Sequence, residues 1–508
     1  MAGQLRARRH PPRVAVIDIG SNSGRVVVFG LDPAGHLRIL ASTRAALRLV
    51  RDLDQRSRLS PGAMERTLEA LQDFQAMALG AGAERTLAVA TAAVRDAENG
   101  RELIERIRRL LGLKVVVIGG REEARAGLQG ALHGLEVEDG LLFDLGGGSL
   151  QVTRFRKRRP GRAVSLALGA LRLSGAFLQG DPPRPPDLRR LRAHVRRLLR
   201  DAGVPRLGRG ESLVGTGGTV RNLAKVDLRS RPYPVSRLHG YRLSAERVRE
   251  IARLLATTRL RKRAAIPGLS DDRADSIVAG ALVVEGLLES VGAEEILVSG
   301  QGVREGLAYG LLKDGVPAPH RVREAALLSL ASRFRDWRPD RAERRRRLAS
   351  TLMRALEPLA KPEIREALDD AARLLDVGRA VDFFDRHRHL ADMVMATELN
   401  GFSHREIALL AALLRRAGDP RSEPRDLAPL IRSADRDRIE RAAVLLLLAD
   451  DIEERCPRGR PITLRCRVGK RQVTVTVPSL AGWRPRGVGP RFQRAFGKVL
   501  VVVPGGTR

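Results

Sequence analysis

The sequence predicts an α/β protein of two related domains facing a cleft, followed by a mainly helical domain with a small β appendage. Three observations lead there. Short apolar strand runs alternate with amphipathic helices over roughly residues 14–313. A strand, Asp-x-Gly turn, strand pattern occurs twice, as Asp18-Ile-Gly-Ser-Asn-Ser23 and about 126 residues later as Asp144-Leu-Gly-Gly-Gly-Ser149. Past the linker Val316-Pro-Ala-Pro319 the periodicity becomes almost wholly helical.

In chain order, a loose basic arm leads into a strand over Val14–Ile17. The turn Gly20–Gly24 and a strand over Val26–Phe29 complete a hairpin. Ser60-Pro61 opens a helix over 61–80 as a cap and first-turn pair. A strand at Thr86–Ala90, a helix at 101–111, a strand at Val115–Ile118 and a helix at Glu122–Leu132 follow. The pattern restarts with strands at Leu141–Phe143 and Val152–Phe155 around the second turn. Helices near 187–201, 244–256 and 272–291 and strands at Ser212–Val214 and Ile296–Val298 fill the second segment. Six helices are expected at 322–335, 341–356, 363–376, 390–399, 404–416 and 435–454. The chain then ends in strands at Ile462–Val468 and Gln472–Val477, a short helix near 490–496 and a strand at Val499–Val503.

Composition narrows the function. The chain has 508 residues, 43% hydrophobic and 30% charged, which suits packed cores and excludes a disordered chain. Its 92 Lys and Arg against 59 Asp and Glu give +33, and only eight of the basic residues are Lys. The excess is spread, with +14 from Arg321 onward and +19 before it. Such a chain favours acidic partners, and Arg meets phosphate bidentately. Aromatics are only 3%, too few for base-stacking platforms, so polyphosphate is expected rather than nucleic acid. Two cysteines, Cys456 and Cys466, exclude a disulfide scaffold and lack zinc-ligand company. No apolar run approaches a membrane span, and the start has no signal-peptide core, so a cytoplasmic protein without a membrane partner is expected.

The glycine turns carry the chemistry. A hairpin tip of Gly, Ser and Asn offers backbone N–H groups and small hydroxyls that can wrap a phosphate. An Asp at the strand end before it can hold Mg²⁺. Two such tips facing each other would clamp one phosphate chain. A third site, Val214-Gly-Thr-Gly-Gly-Thr219, ends a strand and opens a helix, where N–H groups bind anions. Val298-Ser-Gly-Gln-Gly302 is a fourth. In Gly119-Gly-Arg-Glu-Glu-Ala-Arg125 the carboxylates Glu122 and Glu123 either complement a helix dipole or supply a base at the cleft, and local sequence leaves both open.

Six segments in order carry a resemblance over roughly residues 13–313: Val16–Ser23, Ala90–Arg95, Gly120–Arg125, Phe143–Ser149, Gly215–Thr219 and Ser299–Gly306. The chain resembles the exopolyphosphatase / guanosine pentaphosphate phosphohydrolase (Ppx/GppA phosphatase) family of the actin, Hsp70 and sugar-kinase superfamily. The resemblance implies two actin-like, ribonuclease H-like lobes, 13–133 and 134–315, with a phosphate chain between them. It implies Glu123 as the catalytic base for water and Asp18 and Asp144 as the carboxylates near Mg²⁺. It places Ser21, Asn22, Ser23, Gly146, Gly147, Gly148 and Ser149 in the phosphate loops, with Arg95, Gly217 and Gly218 as further phosphate contacts. Gln151 stands where the family has Glu, which predicts weaker metal binding or base tuning and a gain from Gln151→Glu at limiting Mg²⁺. Gln301 replaces a usual Gly.

Residues 320–456 resemble the helical HD-like domain of long family members, through Asp385–His389, Asn400–Glu406 and Leu448–Asp450. The His-Asp pair of that motif reads Leu375-Asp376, so no metal site is expected there, but a scaffold or polyanion-binding role. Residues 457–508 form the small appendage. The resulting expectation is a Mg²⁺-dependent exopolyphosphatase. Its alternatives are a guanosine pentaphosphate phosphohydrolase and a catalytically weak polyphosphate or alarmone sensor. Expected partners are inorganic polyphosphate or guanosine polyphosphate, with a homodimer left open.

Overall fold

A computed structural model describes residues 12–50, 57–312, 315–480 and 482–504. Most of the expected basic arm lies outside them. The described chain divides into two compact units, one of residues 1–231 and 237–325, the other of residues 232–236 and 326–508.

The first unit holds two sheets. In the first, β1 (Arg13–Ile19), β2 (Ser23–Leu31), β3 (Leu37–Ala46), β4 (Arg85–Ala90) and β5 (Val115–Val117) lie in the order β3-β2-β1-β4-β5. β1 pairs antiparallel with β2 and parallel with β4. Val14, Val16 and Ile17 are buried on both faces, so β1 reads as a continuous apolar run and not an alternating one. The helix Pro61–Gly80 starts where Ser60 accepts from the Ala63 N–H (3.1 Å), and it buries Met64, Leu68, Leu71 and Phe74.

The second sheet contains β6 (Gly140–Leu145), β7 (Leu150–Arg156), β8 (Arg159–Leu166), β9 (Ser212–Thr216), β10 (Arg242–Ser244) and β11 (Glu295–Val298). Its order is β10-β11-β9-β6-β7-β8. An antiparallel hairpin and edge strand lie on one side of β6, and parallel β9 and β11 on the other. This repeats the first sheet and adds β10. Asp18 and Asp144 therefore occupy matching places at the ends of β1 and β6, each just before its hairpin tip.

Three strands, β3, β8 and β10, are additions to the sequence expectation. The helix expected at 272–291 begins at Ile277, after a short 3₁₀ turn over Asp271–Arg273.

In the second unit, helices Pro339–Leu356, Pro362–Leu374, Arg386–Ala396, His404–Gly418 and Arg436–Arg455 bury a core that includes Leu352, Leu368, Leu390, Leu413 and Leu445. Ser403 and Glu406 form a capping box, Ser403 N–H donating to Glu406 Oε2 at 2.8 Å. The strand expected from Ile462 starts at Arg465, past Pro461, and the helix expected at 390–399 is displaced to Arg386–Ala396. β12 (Arg465–Val468), β13 (Gln472–Thr476) and β14 (Val499–Val503) form a third sheet.

Asp376 and Asp450, both from the HD-like landmarks, converge on a guanidinium. Arg345 is fully buried, its Nη2 2.8 Å from Asp376 Oδ2 and its Nε 2.7 Å from Asp450 Oδ1. Burial alone would raise the Asp376 pKa, but Arg345 and Arg341 hold it below the usual carboxylate range. Among the described residues no group of three or more His, Cys, Asp or Glu is arranged to hold a metal ion, and no helix is long and apolar enough to cross a membrane.

Candidate active site

The two hairpin tips meet. A Cβ added to Gly148 would lie 2.8 Å from Ser21 Oγ, and one added to Gly147 would lie 3.3 Å from Ser21 Cβ. A side chain on Gly148 would therefore press on the Ser21 hydroxyl of the first tip. Between and around them lies a cavity of about 130 Å³. Its lining includes Asp18, Ser21, Asn22, Ser23, Glu123, Asp144, Gly146 through Ser149, Gly217 and Gly218.

Each tip is fastened from behind through its carbonyls. Leu47 and Arg48 N–H donate to Asn22 O, and Val50 N–H donates to Ser21 O. In the second tip, Ala170 N–H donates to Gly146 O, Leu171 and Arg172 N–H donate to Gly147 O, and Arg172 Nε donates to Gly148 O at 3.1 Å. With those acceptors engaged, the tips offer the cavity donors, the chemistry an anion needs.

Gly217 sits at φ 93, a conformation that favours glycine, at the start of the helix Gly218–Arg229. A Cβ there would be 2.5 Å from Asp144 Oδ1, and one on Gly218 would be 2.6 Å from Arg273 Nη2. The glycines thus let the helix N-terminus close over the Asp144 carboxylate.

Glu122 and Glu123 separate in the structure. Glu122 turns back to accept from the Gly119 N–H (2.8 Å) and caps the helix Gly120–Gly134. Glu123, one residue on, lines the cavity. Arg95 Nη1 is 3.8 Å from Glu123 Oε2, while Arg95 also donates to Ile118 O and pairs with Asp96. Arg95 thus lies beside Glu123 and is absent from the cavity lining. Gln151, opposite Asp144 across the β6–β7 pair, donates from Nε2 to Glu123 Oε2 at 3.2 Å.

Three cationic side chains in the lining were not among the sequence candidates: Arg221, Arg273 and Arg304. Arg221 follows Gly217 by one helical turn and Arg304 sits inside the Ser299–Gly306 segment, so both had a positional signal. Arg273, in a 3₁₀ turn, had none. Arg304 Nη1 is 4.0 Å from Asp18 Oδ2. The lining therefore balances Asp18, Glu123 and Asp144 against three arginines.

The charges perturb one another. Burial, then the Asp144 and Asp18 charges, push the Glu123 carboxyl up to about 8, while Arg95 opposes the shift. Burial raises Asp144 to about 6 and also raises Asp18, with Arg221 and Arg304 respectively opposing. For a carboxyl raised on folding, the folded state holds its proton more tightly than the unfolded state does. Its ionisation therefore costs stability progressively from about pH 4.5 to about 8. Glu123→Gln should gain thermal stability relative to the native protein across that window in metal-free buffer. Paired melting curves at pH 5 and pH 8 check this; a constant difference between the two proteins would contradict it.

Comparison with known proteins follows the same lines. The model of the Ppx/GppA phosphatase family matches residues 28–314, more than half of the chain. The chain belongs to the Ppx/GppA phosphatase family. A second match, to Ppx/GppA phosphatase domain III, covers residues 322–483. Exopolyphosphatase 1 of Mycobacterium tuberculosis is 31% identical over 299 residues, which is 58% of this chain and 87% of that protein. The Mycobacterium leprae protein of the same name is 30% identical over 299 residues, 58% of this chain and 88% of that protein.

Two solved structures resemble the first unit in fold. An exopolyphosphatase from Cytophaga hutchinsonii superposes with TM-score 0.56 at 27% identity, covering 60% of this chain and 99% of that one. The Aquifex aeolicus Ppx/GppA family member gives 0.52 at 28%, covering 59% and 97%. The first unit of this Ppx/GppA phosphatase is accordingly actin-like, and domain III is its helical part.

Proposed function

We propose that this phosphatase removes the terminal phosphate of inorganic polyphosphate, using Mg²⁺ and a water activated by Glu123. The observation that carries the reading is the meeting of two donor-rich tips over three acidic side chains in one small polar cavity. Ser21, Asn22, Ser23, Gly146, Gly147, Gly148 and Ser149 would hold phosphate oxygens. Gly217 and Gly218 would add helix N-terminal donors, and Arg221, Arg273, Arg304 and Arg95 would offset charge.

The residues present fit a divalent metal. Asp18 and Asp144 are half-buried carboxylates that line the same cavity and have raised pKa values, so a bound cation would offset charge that the site disfavours. Mg²⁺ typically takes one or two carboxylates and completes its shell with water and phosphate oxygens. When bound, it would neutralise charge on the phosphate chain. Glu123 would accept the proton of the attacking water, and its raised pKa suits a base working near neutrality.

The carboxylate-free end of the chain supports a long polyanion. Residues 457–508 contain twelve Lys and Arg and no Asp or Glu. Arg465, Arg467, Lys470 and Arg471 are exposed around the β12–β13 hairpin. Replacing these four by Gln should weaken long-chain binding severalfold and flatten its salt dependence, because fewer counterions are released. Tripolyphosphate hydrolysis should stay unchanged. Equal loss for long and short chains would show that these side chains act structurally.

A second reading, guanosine pentaphosphate hydrolysis, has its own support. A cavity of about 520 Å³ adjoins the second tip, lined by Leu171, Leu178, Leu260 and Val278 with Arg172, Asp181 and Asp275. It is large and apolar enough for a nucleoside. Initial rates of phosphate release from long polyphosphate, tripolyphosphate, guanosine pentaphosphate and ATP, with and without Mg²⁺, separate the readings. Polyphosphate turnover far above the nucleotides is expected; preference for guanosine pentaphosphate would favour the second reading, and release independent of metal would remove Mg²⁺ from it.

A further inference from the structure

We propose that Gln151 is a positioning residue whose amide aims Glu123 and frees the Ser149 hydroxyl to donate to substrate phosphate. The inference rests on Glu123 as base and Ser149 as a phosphate-loop residue.

Gln151 lies on β7 and is 1% exposed. Its Nε2 is 2.7 Å from Ser149 Oγ, 3.2 Å from Glu123 Oε2 and 3.4 Å from Ser165 Oγ. In the ionised form in which Glu123 acts as a base, it can face only the NH₂ end of the amide, the end that lies 3.2 Å from Glu123 Oε2. Its two hydrogens then serve the two closer partners, Ser149 and Glu123.

Ser165 helps hold this arrangement. It sits on β8, and a Cβ on Gly120 would lie 2.7 Å from Ser165 Cβ. The start of the helix carrying Glu123 is thus pressed against the strand beside Gln151.

The direction of the Ser149 bond matters most. Ser149 Oγ accepts from Gln151, so it spends a lone pair and keeps its single hydrogen. Ser149 lines the cavity, where that hydrogen can reach a phosphate oxygen. A carboxylate at position 151 reverses both bonds. Having no hydrogen to give, it takes the hydroxyl hydrogen of Ser149, and it sets a second negative charge beside Glu123. Sequence reading alone treats Gln151 as lost charge that Gln151→Glu would repair; the hydrogen-bond directions point the other way.

Steady-state kinetics on tripolyphosphate at saturating Mg²⁺ test this. Gln151→Met, similar in size but without a donor, should lower kcat by roughly 10-fold or more, as expected for a lost bond to a charged group, with KM little changed. Gln151→Glu should lower kcat and also raise KM about 5-fold. In a Ser149→Ala background, Gln151→Glu should leave KM unmoved, because the contested hydrogen is gone. General loosening of the fold would not produce that cancellation, and melting curves confirm that each variant is folded. Calorimetric Kd values for tripolyphosphate should follow the KM order, which keeps the test open where turnover is slow.

The inference is overturned if Gln151→Glu equals or exceeds the native kcat/KM at saturating Mg²⁺, or if its KM rise survives in Ser149→Ala. If Glu123→Gln abolishes turnover while Gln151→Met matches the native protein, this inference alone fails. Native-like turnover in Glu123→Gln would instead remove the base on which it rests.

Discussion

Glu123→Gln should lower the rate of phosphate release by roughly 10²–10⁴, the range for losing a general base, while tripolyphosphate affinity should be largely kept. The substitution preserves shape and still leaves an oxygen facing Gln151. It removes only the capacity to take a proton. Glu122→Gln is the matched control. Glu122 is bound to the Gly119 N–H at the helix start, and an amide oxygen can accept that bond nearly as well. Glu122→Gln should therefore turn over like the native protein. Near-native turnover in Glu123→Gln would exclude it as the base, and equal losses in both would mean that the helix start, not one carboxylate, is what matters.

The second large effect is on stability. Arg345→Met should destabilise the helical unit by about 3–5 kcal/mol, the cost of leaving a buried charge without its partner. Arg345 stands between Asp376 and Asp450, both nearly inaccessible. Arg379 and Arg386 also reach these carboxylates, but from the partly exposed side. Adding Asp376→Asn and Asp450→Asn should restore much of the loss, since the buried charges then disappear together. Both tryptophans, Trp337 and Trp483, lie in this unit, so fluorescence-monitored urea unfolding reports on it directly. A loss under about 1 kcal/mol for Arg345→Met would show that the neighbouring arginines suffice.

Elements with strong local signals were legible. β1, β4 and the helix Pro61–Gly80 follow from β-branched runs and the Ser60-Pro61 start. β3 and β8 were not, and the reason is physical. Both are edge strands with largely exposed or half-buried side chains, and β8 begins Arg159-Pro160-Gly161, which reads as a turn. Pairing with β2 and β7, not propensity, makes them strands.

The site divides in the same way. Asp18, Asp144 and the glycine tips were legible because the repeat sets them at strand ends. The separate roles of Glu122 and Glu123 were not, because capping is decided by side-chain direction at the helix start. Arg273 reaches the cavity from a 3₁₀ turn with no motif of its own. Gln151 was visible as a departure from the family, but its bonding became visible only when β7 and the Glu123 helix were brought together. The HD-like landmarks named Asp376 and Asp450, yet Arg345, the cation between them, comes from a helix that reads as an exposed arginine run.

The central claim is that water attacks the terminal phosphorus of a chain held by the two tips. Tripolyphosphate hydrolysed in ¹⁸O-labelled water with Mg²⁺ tests it most directly. Attack at the terminal phosphorus places one solvent oxygen in the released orthophosphate and none in the pyrophosphate, and the same label should vanish with turnover in Glu123→Gln. Label in the pyrophosphate, or release that Glu123→Gln leaves untouched, would contradict the account.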